Sequence, residues 1–174
     1  MTATPKVYID SCCLIESLKG DLGTSDPARL KGLDMLRRIL RAARDDKITA
    51  FTSLLTVAEV VKAGDAPIDD ETKRKIERLI LSGRDGLTTV SLSPAIVLKA
   101  RDLAWNDGLL SVKGADRVHL AAAIVVGAIE FISWDNRLGK KLKRNSLGSI
   151  QLVEPSATNQ LPNAYRTDDL FGKQ

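Results

Sequence analysis

A chain of 174 residues with 44% hydrophobic content is long enough to close one domain around its own core. Only 4% is aromatic, so Leu, Ile, Val and Ala must fill that core. The formal charge of +4, from 26 Lys and Arg against 22 Asp and Glu, suits a polyanionic partner and an ordinary solvated surface equally well. The longest apolar stretch, Ala121 to Ile129, is too short to span a bilayer, and Met1 to Lys6 lacks the build of a signal peptide. A soluble, cytoplasmic protein with no membrane partner is expected.

In chain order, Val7–Ile9 reads as a short buried strand and Ser11–Lys19 as a helix closed by Gly20. Cys12 and Cys13 are neighbours, unable to form an ordinary disulfide, and two thiols do not make a zinc site. They read as small buried residues. Asp26-Pro27 is an N-cap followed by proline at the first helical position. Leu33, Leu36, Ile39, Leu40 and Ala43 continue that helix, with Arg29, Lys31, Arg37, Arg38, Arg41 and Arg44 on the opposite face, which reads as solvated or, alternatively, as a surface for contact with RNA.

Ile48–Thr52 predicts a strand, followed by a helix that carries Glu59 and breaks between Gly64 and Pro67. Asp69-Asp70 caps a helix to about Leu81, and Leu87–Leu92 is β-rich. Ser93-Pro94 opens a helix to about Trp105, and Asn106-Asp107-Gly108 makes a turn. Ala115–Ala128 predicts a helix apolar on nearly every side and therefore deep in the core. Phe131–Trp134 is a strand, Asn136 to Arg144 a short basic helix, and Ser149–Val153 a last strand. This alternation predicts an α/β fold, a three-layer α/β/α sandwich with a mostly parallel central sheet, over residues 1–155. Residues 156–174 turn polar and are expected to be a loosely ordered tail.

Four acids fall where the strand-to-helix crossings of such a sheet converge. Asp10 follows the first strand, Asp135 follows Phe131–Trp134, and Glu59 and Asp116 lie near helix starts. Each also fits an everyday role. Asp10 and Asp135 could be N-caps, Glu59 stands three residues after Thr56 as in a capping box, and Asp116 could be a first-turn acid. Four carboxylates at one sheet edge would repel one another unless a hard cation neutralised them. Val57, Ala58, Val60 and Val61 surround Glu59, and an acid in such company needs a partner.

The segments around these acids carry a resemblance. Val-Tyr-Ile-Asp10-Ser11-Cys-Cys-Leu-Ile15 comes first, then Ser53-Leu-Leu-Thr-Val-Ala-Glu59-Val. Gly-Ala-Asp116-Arg-Val-His119-Leu-Ala-Ala-Ala and Phe-Ile-Ser133-Trp-Asp135-Asn-Arg-Leu follow. Together, over about residues 6 to 153, they resemble the PIN-domain nucleases, in particular the toxin ribonucleases of VapBC-type toxin–antitoxin modules. The resemblance implies a PIN-like fold in which Asp10, Glu59, Asp116 and Asp135 hold one or two Mg²⁺ (or Mn²⁺) ions. Ser11 and Ser133 fall at supporting positions. It also implies an RNA substrate, a small antitoxin partner and a homodimer. The stretch between Asp10 and Glu59 is long for a minimal toxin of this group, and the polar tail is extra.

His119, the only histidine, sits three residues after Asp116 and is read as a structural neighbour of the site. No nucleophile triad and no Gly-rich phosphate loop is present. The expected chemistry is metal-assisted hydrolysis of single-stranded or looped RNA. Arg117, Arg137, Lys140, Lys141, Lys143 and Arg144, with Lys19, are the candidates to line the approach for phosphates. Two other classes stay open: another metal-dependent phosphoesterase, and a non-catalytic interaction protein that kept the fold.

Overall fold

The computed structural model describes residues 3–19, 24–60, 62–63, 66–67, 69–83, 85–105, 108–142 and 147–166, with backbone alone at 18–19, 62–63, 66–67 and 76. The strands are β1 (Lys6–Ile9), β2 (Thr49–Ser53), β3 (Lys62–Ala63), β4 (Ala66–Pro67), β5 (Leu87–Val90), β6 (Glu130–Ile132) and β7 (Gln151–Val153). The α-helices are α1 (Ser11–Lys19), α2 (Pro27–Arg44), α3 (Leu55–Glu59), α4 (Asp70–Leu81), α5 (Pro94–Trp105), α6 (Gly114–Val126) and α7 (Asn136–Lys141). Five strands form one sheet in the order β5-β2-β1-β6-β7, every pairing parallel, and β3 with β4 make a small antiparallel pair apart from it.

A parallel sheet must be covered on both faces, and the side chains of β1 divide accordingly. Val7 and Ile9 join a core with Leu14, Leu36, Ile39 and Ile80, beneath α1, α2 and α4. Tyr8 points the other way, into a core with Ile96, Leu103, Leu120 and Phe131, beneath α5 and α6. The fold is the three-layer α/β/α arrangement. In α6, Leu120 through Ala123 are fully buried, because small side chains let this helix approach both α5 and the sheet. Gly86 has φ of +79°, and a Cβ there would meet the Arg44 backbone nitrogen at 2.4 Å. Glycine alone lets the chain enter β5 against the end of α2.

The local signals hold at α2 and α4. Asp26 Oδ1 accepts from the Ala28 N–H at 3.0 Å, and Asp69 Oδ1 accepts from the Thr72 N–H at 2.8 Å. Three expectations change. The helix carrying Glu59 does not run toward Gly64: it has five residues, begins after Leu54 without a side-chain cap, and Glu59 is its last residue. The capping box with Thr56 is therefore absent, and Thr56 is instead buried with its hydroxyl against Thr52 Oγ1 at 3.0 Å. Arg38 is not on a solvated face: it is buried, donating to Asp34 Oδ2 at 2.7 Å and to the Tyr165 carbonyl at 3.3 Å.

The third concerns the tail. Short 3-10 turns at Pro155–Ala157 and Asn163–Tyr165 bring Leu161 and Tyr165 into the core beneath α2. Thr158 Oγ1 and the Asn159 N–H donate, at 2.5 and 2.9 Å, to the fully buried carboxylate of Glu130 at the start of β6. Loose packing thus does not hold for residues 156–166. A buried carboxylate demands fixed donors, and this segment supplies them. Residues 167–174, the turn residues Asn106 and Asp107, and Gly20 and Gly64 lie outside the described residues.

Candidate active site

The chain winds from β1 outward to β2 and β5, then returns to lay β6 and β7 on the other side of β1. The strand order therefore reverses between β1 and β6, and the carboxyl ends of two such strands frame a crevice. Asp10 leaves β1 at this point, its N–H donating to the Ile132 carbonyl of β6 at 3.0 Å. Its side chain is buried and multiply held. Oδ1 accepts from the Ser11 N–H at 2.8 Å, and Oδ2 accepts from Ser133 Oγ at 2.7 Å and from Cys12 Sγ at 3.2 Å. Ser133 Oγ also accepts from the Asp135 N–H at 3.0 Å. The two supporting serines thus fix the Asp10 carboxylate from both sides, and Ser133 links it to the backbone of Asp135.

Glu59 reaches the same edge from the end of α3, where an acid gains nothing from the helix dipole. It gains a partner instead: Glu59 Oε2 lies 2.6 Å from His119 Nε2, and His119 Nδ1 lies 2.8 Å from the Tyr8 hydroxyl. Burial pushes the Glu59 carboxyl up, but the His119 hydrogen bond and charge, with a bond from Ser11, outweigh it and leave the group lowered. Burial, and then the charges of Asp10 and Glu59, push the Tyr8 hydroxyl well above its ordinary value against an opposing Ser53 bond, so it stays protonated.

Asp116, in the first turn of α6, stands differently. Burial raises its carboxyl, and the negative charges of Asp10, Asp135 and Glu59 raise it further, with Lys113 opposing. Asp116 thus senses the other three acids at this edge and carries the strain. No described residue donates a hydrogen bond to its carboxylate. Asp135 caps α7, Oδ1 accepting from the N–H groups of Arg137 at 2.8 Å and Leu138 at 3.3 Å. Burial pushes its carboxyl up, but Arg137 and these amides reverse the shift and leave it lowered.

Among the described residues, no three acidic, histidine or cysteine side chains already close around a metal ion. Asp10, Glu59 and Asp135 are turned to internal donors. The donor set nevertheless fits a hard divalent cation: its atoms are carboxylate oxygens, and the surplus negative charge recorded at Asp116 is what such an ion relieves.

The candidate cations divide. Arg137 is exposed and paired with Asp135, Nε to Oδ1 at 3.2 Å. Arg117 donates to the carbonyls of Leu109, Leu110 and Val112, and Lys141 donates to the Ser111 carbonyl at 2.9 Å. These two hold the loop before α6. Lys140 is exposed. Lys143 and Arg144, and the side chain of Lys19, lie outside the described residues. Tyr8 lies outside the expected site residues, and Cys12, expected as a small buried residue, is only half-buried and bonds Asp10. A polar-tipped Tyr in a buried strand, facing the chain's one histidine, was the available signal for the first; nothing local distinguished Cys12 from Cys13.

An α/β sheet with Asp116 and three further acids that it senses at its switch point defines a class of proteins that do chemistry at a carboxylate edge. A family model for the PIN domain matches residues 7–143, a span that includes all four acids, and the chain belongs to the PIN domain family. PIN domains are generally nucleases, hydrolases that depend on divalent metals. No curated protein matches the chain. No helix among the described residues is long and apolar enough to cross a membrane.

Proposed function

We propose that this protein is a Mg²⁺- or Mn²⁺-dependent endoribonuclease that hydrolyses phosphodiester bonds of single-stranded or looped RNA, acting as the toxin of a type II toxin–antitoxin module. The observation that carries the nuclease reading is the gathering of Asp10, Glu59, Asp116 and Asp135 at one sheet edge in a chain of the PIN domain family. Asp10 and Asp116 would be the core ligands, with Glu59 and Asp135 completing the shell directly or through water. The chemistry that such a cation supplies is acidification of a water and neutralisation of charge on the attacked phosphate. The residues of the chain would do the rest: Ser11 and Ser133 orient Asp10, and the Asp116 carboxylate, to which no described residue donates, would hold a water for in-line attack. Exposed Arg137 and Lys140 would meet the RNA backbone. The toxin assignment, a small antitoxin partner, a homodimer and a cytoplasmic location rest on the resemblance of the four acid-bearing segments to toxin ribonucleases.

The test is incubation of purified protein with structured and unstructured RNAs, with Mg²⁺ or Mn²⁺, with chelator, and as Asp10→Asn. Cleavage should need the metal and fall at least about 100-fold in Asp10→Asn. Cleavage that persists in chelator or in the variant removes the metal-nuclease reading. Growth arrest on expression, relieved by the product of an adjacent small reading frame, tests the toxin assignment.

A second reading has its own support. Three of the four acids already have internal donors, and among the described residues no three gather around a centre, as in a PIN fold kept for interaction alone. Calorimetry separates the two, since an interaction protein would bind neither Mg²⁺ nor Mn²⁺ at this edge.

A further inference from the structure

We propose that His119 is a positioning residue for Glu59, itself oriented by Tyr8, and that this chain of hydrogen bonds restricts how Glu59 can meet a cation. The inference rests on the metal-nuclease reading of the same edge and assigns a part to two residues that reading does not use.

Both side chains are sealed from solvent, Tyr8 at 0% and His119 at 1% exposure. Tyr8 is pinned in place: it stacks on Phe131 of the neighbouring strand at 5.3 Å and 10°, and meets the His119 ring edge-on at 6.0 Å. The two nitrogens of His119 are both engaged, Nδ1 with the Tyr8 hydroxyl and Nε2 with Glu59 Oε2. A ring so occupied is neither a metal ligand nor a base open to water. It is a clamp. Nε2–H donates to Oε2 and a Ser11 bond holds the carboxylate further, so Glu59 is restricted in how it can meet a cation. The clamp also spans elements. Asp116 and His119 stand three residues apart on α6, on one helical face, while Glu59 ends α3 and Tyr8 belongs to β1. The bond to His119 therefore sets the separation of two acids that share no strand or helix. Metal sites fix their ligands through such outer partners, whose loss weakens metal binding by about 10–100-fold.

The chain has a single histidine, so its imidazole nitrogens give one unambiguous set of long-range ¹⁵N–¹H signals. In the wild-type protein Nε2 should carry a proton, its signal moving in Glu59→Gln, and the Nδ1 signal should move in Tyr8→Phe. An unprotonated Nε2, or signals that ignore both substitutions, would overturn the clamp without any variant of His119 having to fold. The functional arm is calorimetric Mg²⁺ binding and RNA cleavage. His119→Leu should weaken Mg²⁺ binding about 10–100-fold and leave KM for RNA at saturating metal unchanged. His119→Gln, whose amide nitrogen can occupy the place of Nε2, should recover most of the loss. A folded His119→Leu with wild-type metal affinity removes the positioning role while the nuclease reading stands. A wild-type protein that neither binds Mg²⁺ nor cleaves RNA removes both the nuclease reading and the metal-directed part of the clamp.

Discussion

At the scale of single residues, the acids differ in what opposes their charge. Asp10 has three donors and Asp135 has Arg137 with two helix amides, whereas Asp116 has three negative neighbours. Its carboxyl is raised on folding, so the metal-free fold holds that proton more tightly than the unfolded chain does. The contribution of Asp116 to stability therefore worsens as pH rises through the window just above the ordinary Asp value. Glu59 and Asp135 are lowered, so their contributions are present above the ordinary carboxylate range and fade as pH falls below it. Asp116→Asn should consequently melt higher than wild type near neutral pH without metal. The site is partly exposed and screened, so the gain is about 2 °C, which for this length corresponds to roughly 0.5–1 kcal/mol. Scanning calorimetry should show the gap closing in acid and reversing with Mg²⁺. A variant that melts at or below wild type in the absence of metal would show that Asp116 carries no such strain.

At the scale of elements, α2 and the strand end after β6 meet at one glycine. A Cβ on Gly32 would stand 2.7 Å from the Trp134 ring, over which the Arg29 guanidinium lies at 4.6 Å. Alanine in mid-helix ordinarily gains about 0.5–1 kcal/mol over glycine. Here the rigid indole must move, and overpacking costs about 1–3 kcal/mol. Gly32→Ala should therefore lose stability in urea titration, and cleavage should fall with it, because Trp134 lies between Ser133 and Asp135. It also borders the roughly 210 Å³ pocket lined by Asp26, Arg29, Asn136 and Glu154. A Gly32→Ala protein more stable than wild type would show that the ring gives way freely. Such close approaches were not legible in the sequence, where Gly32 is one small residue in an amphipathic run. What was legible had local chemistry behind it. Asp26-Pro27 and Asp69 start helices as their spacing predicts, and the apolar runs of β1, β2 and β6 make the parallel sheet. The end of α3 at Glu59 was hidden because Thr56 answers to Thr52 across the turn, a tertiary partner that no capping pattern encodes.

At the scale of the whole molecule, residues 156–166 are part of the core even though their composition is polar. The polar ones read as solvated because their partner, Glu130, lies buried in a distant strand and the pairing has no sequence period. Thr158→Val leaves one carboxylate lone pair without its donor and should cost about 1–3 kcal/mol by urea denaturation. Ending the chain at Pro155 removes both donors together with Leu161 and Tyr165, and should cost about 3–5 kcal/mol or abolish folding. A truncated protein as stable as the full chain would show that this segment is dispensable. The clasp on Glu130 also governs timing. Strand β6 holds Glu130 at its start, and just past its end come Ser133, which orients Asp10, and Asp135. During synthesis this strand is made 28 residues before Thr158, the first of its two donors. Until those later residues emerge from the ribosome, docking β6 beside β1 would bury an unanswered charge. The edge that carries Asp10 and Asp135 is therefore set only once residues 158 and 159 have joined the fold.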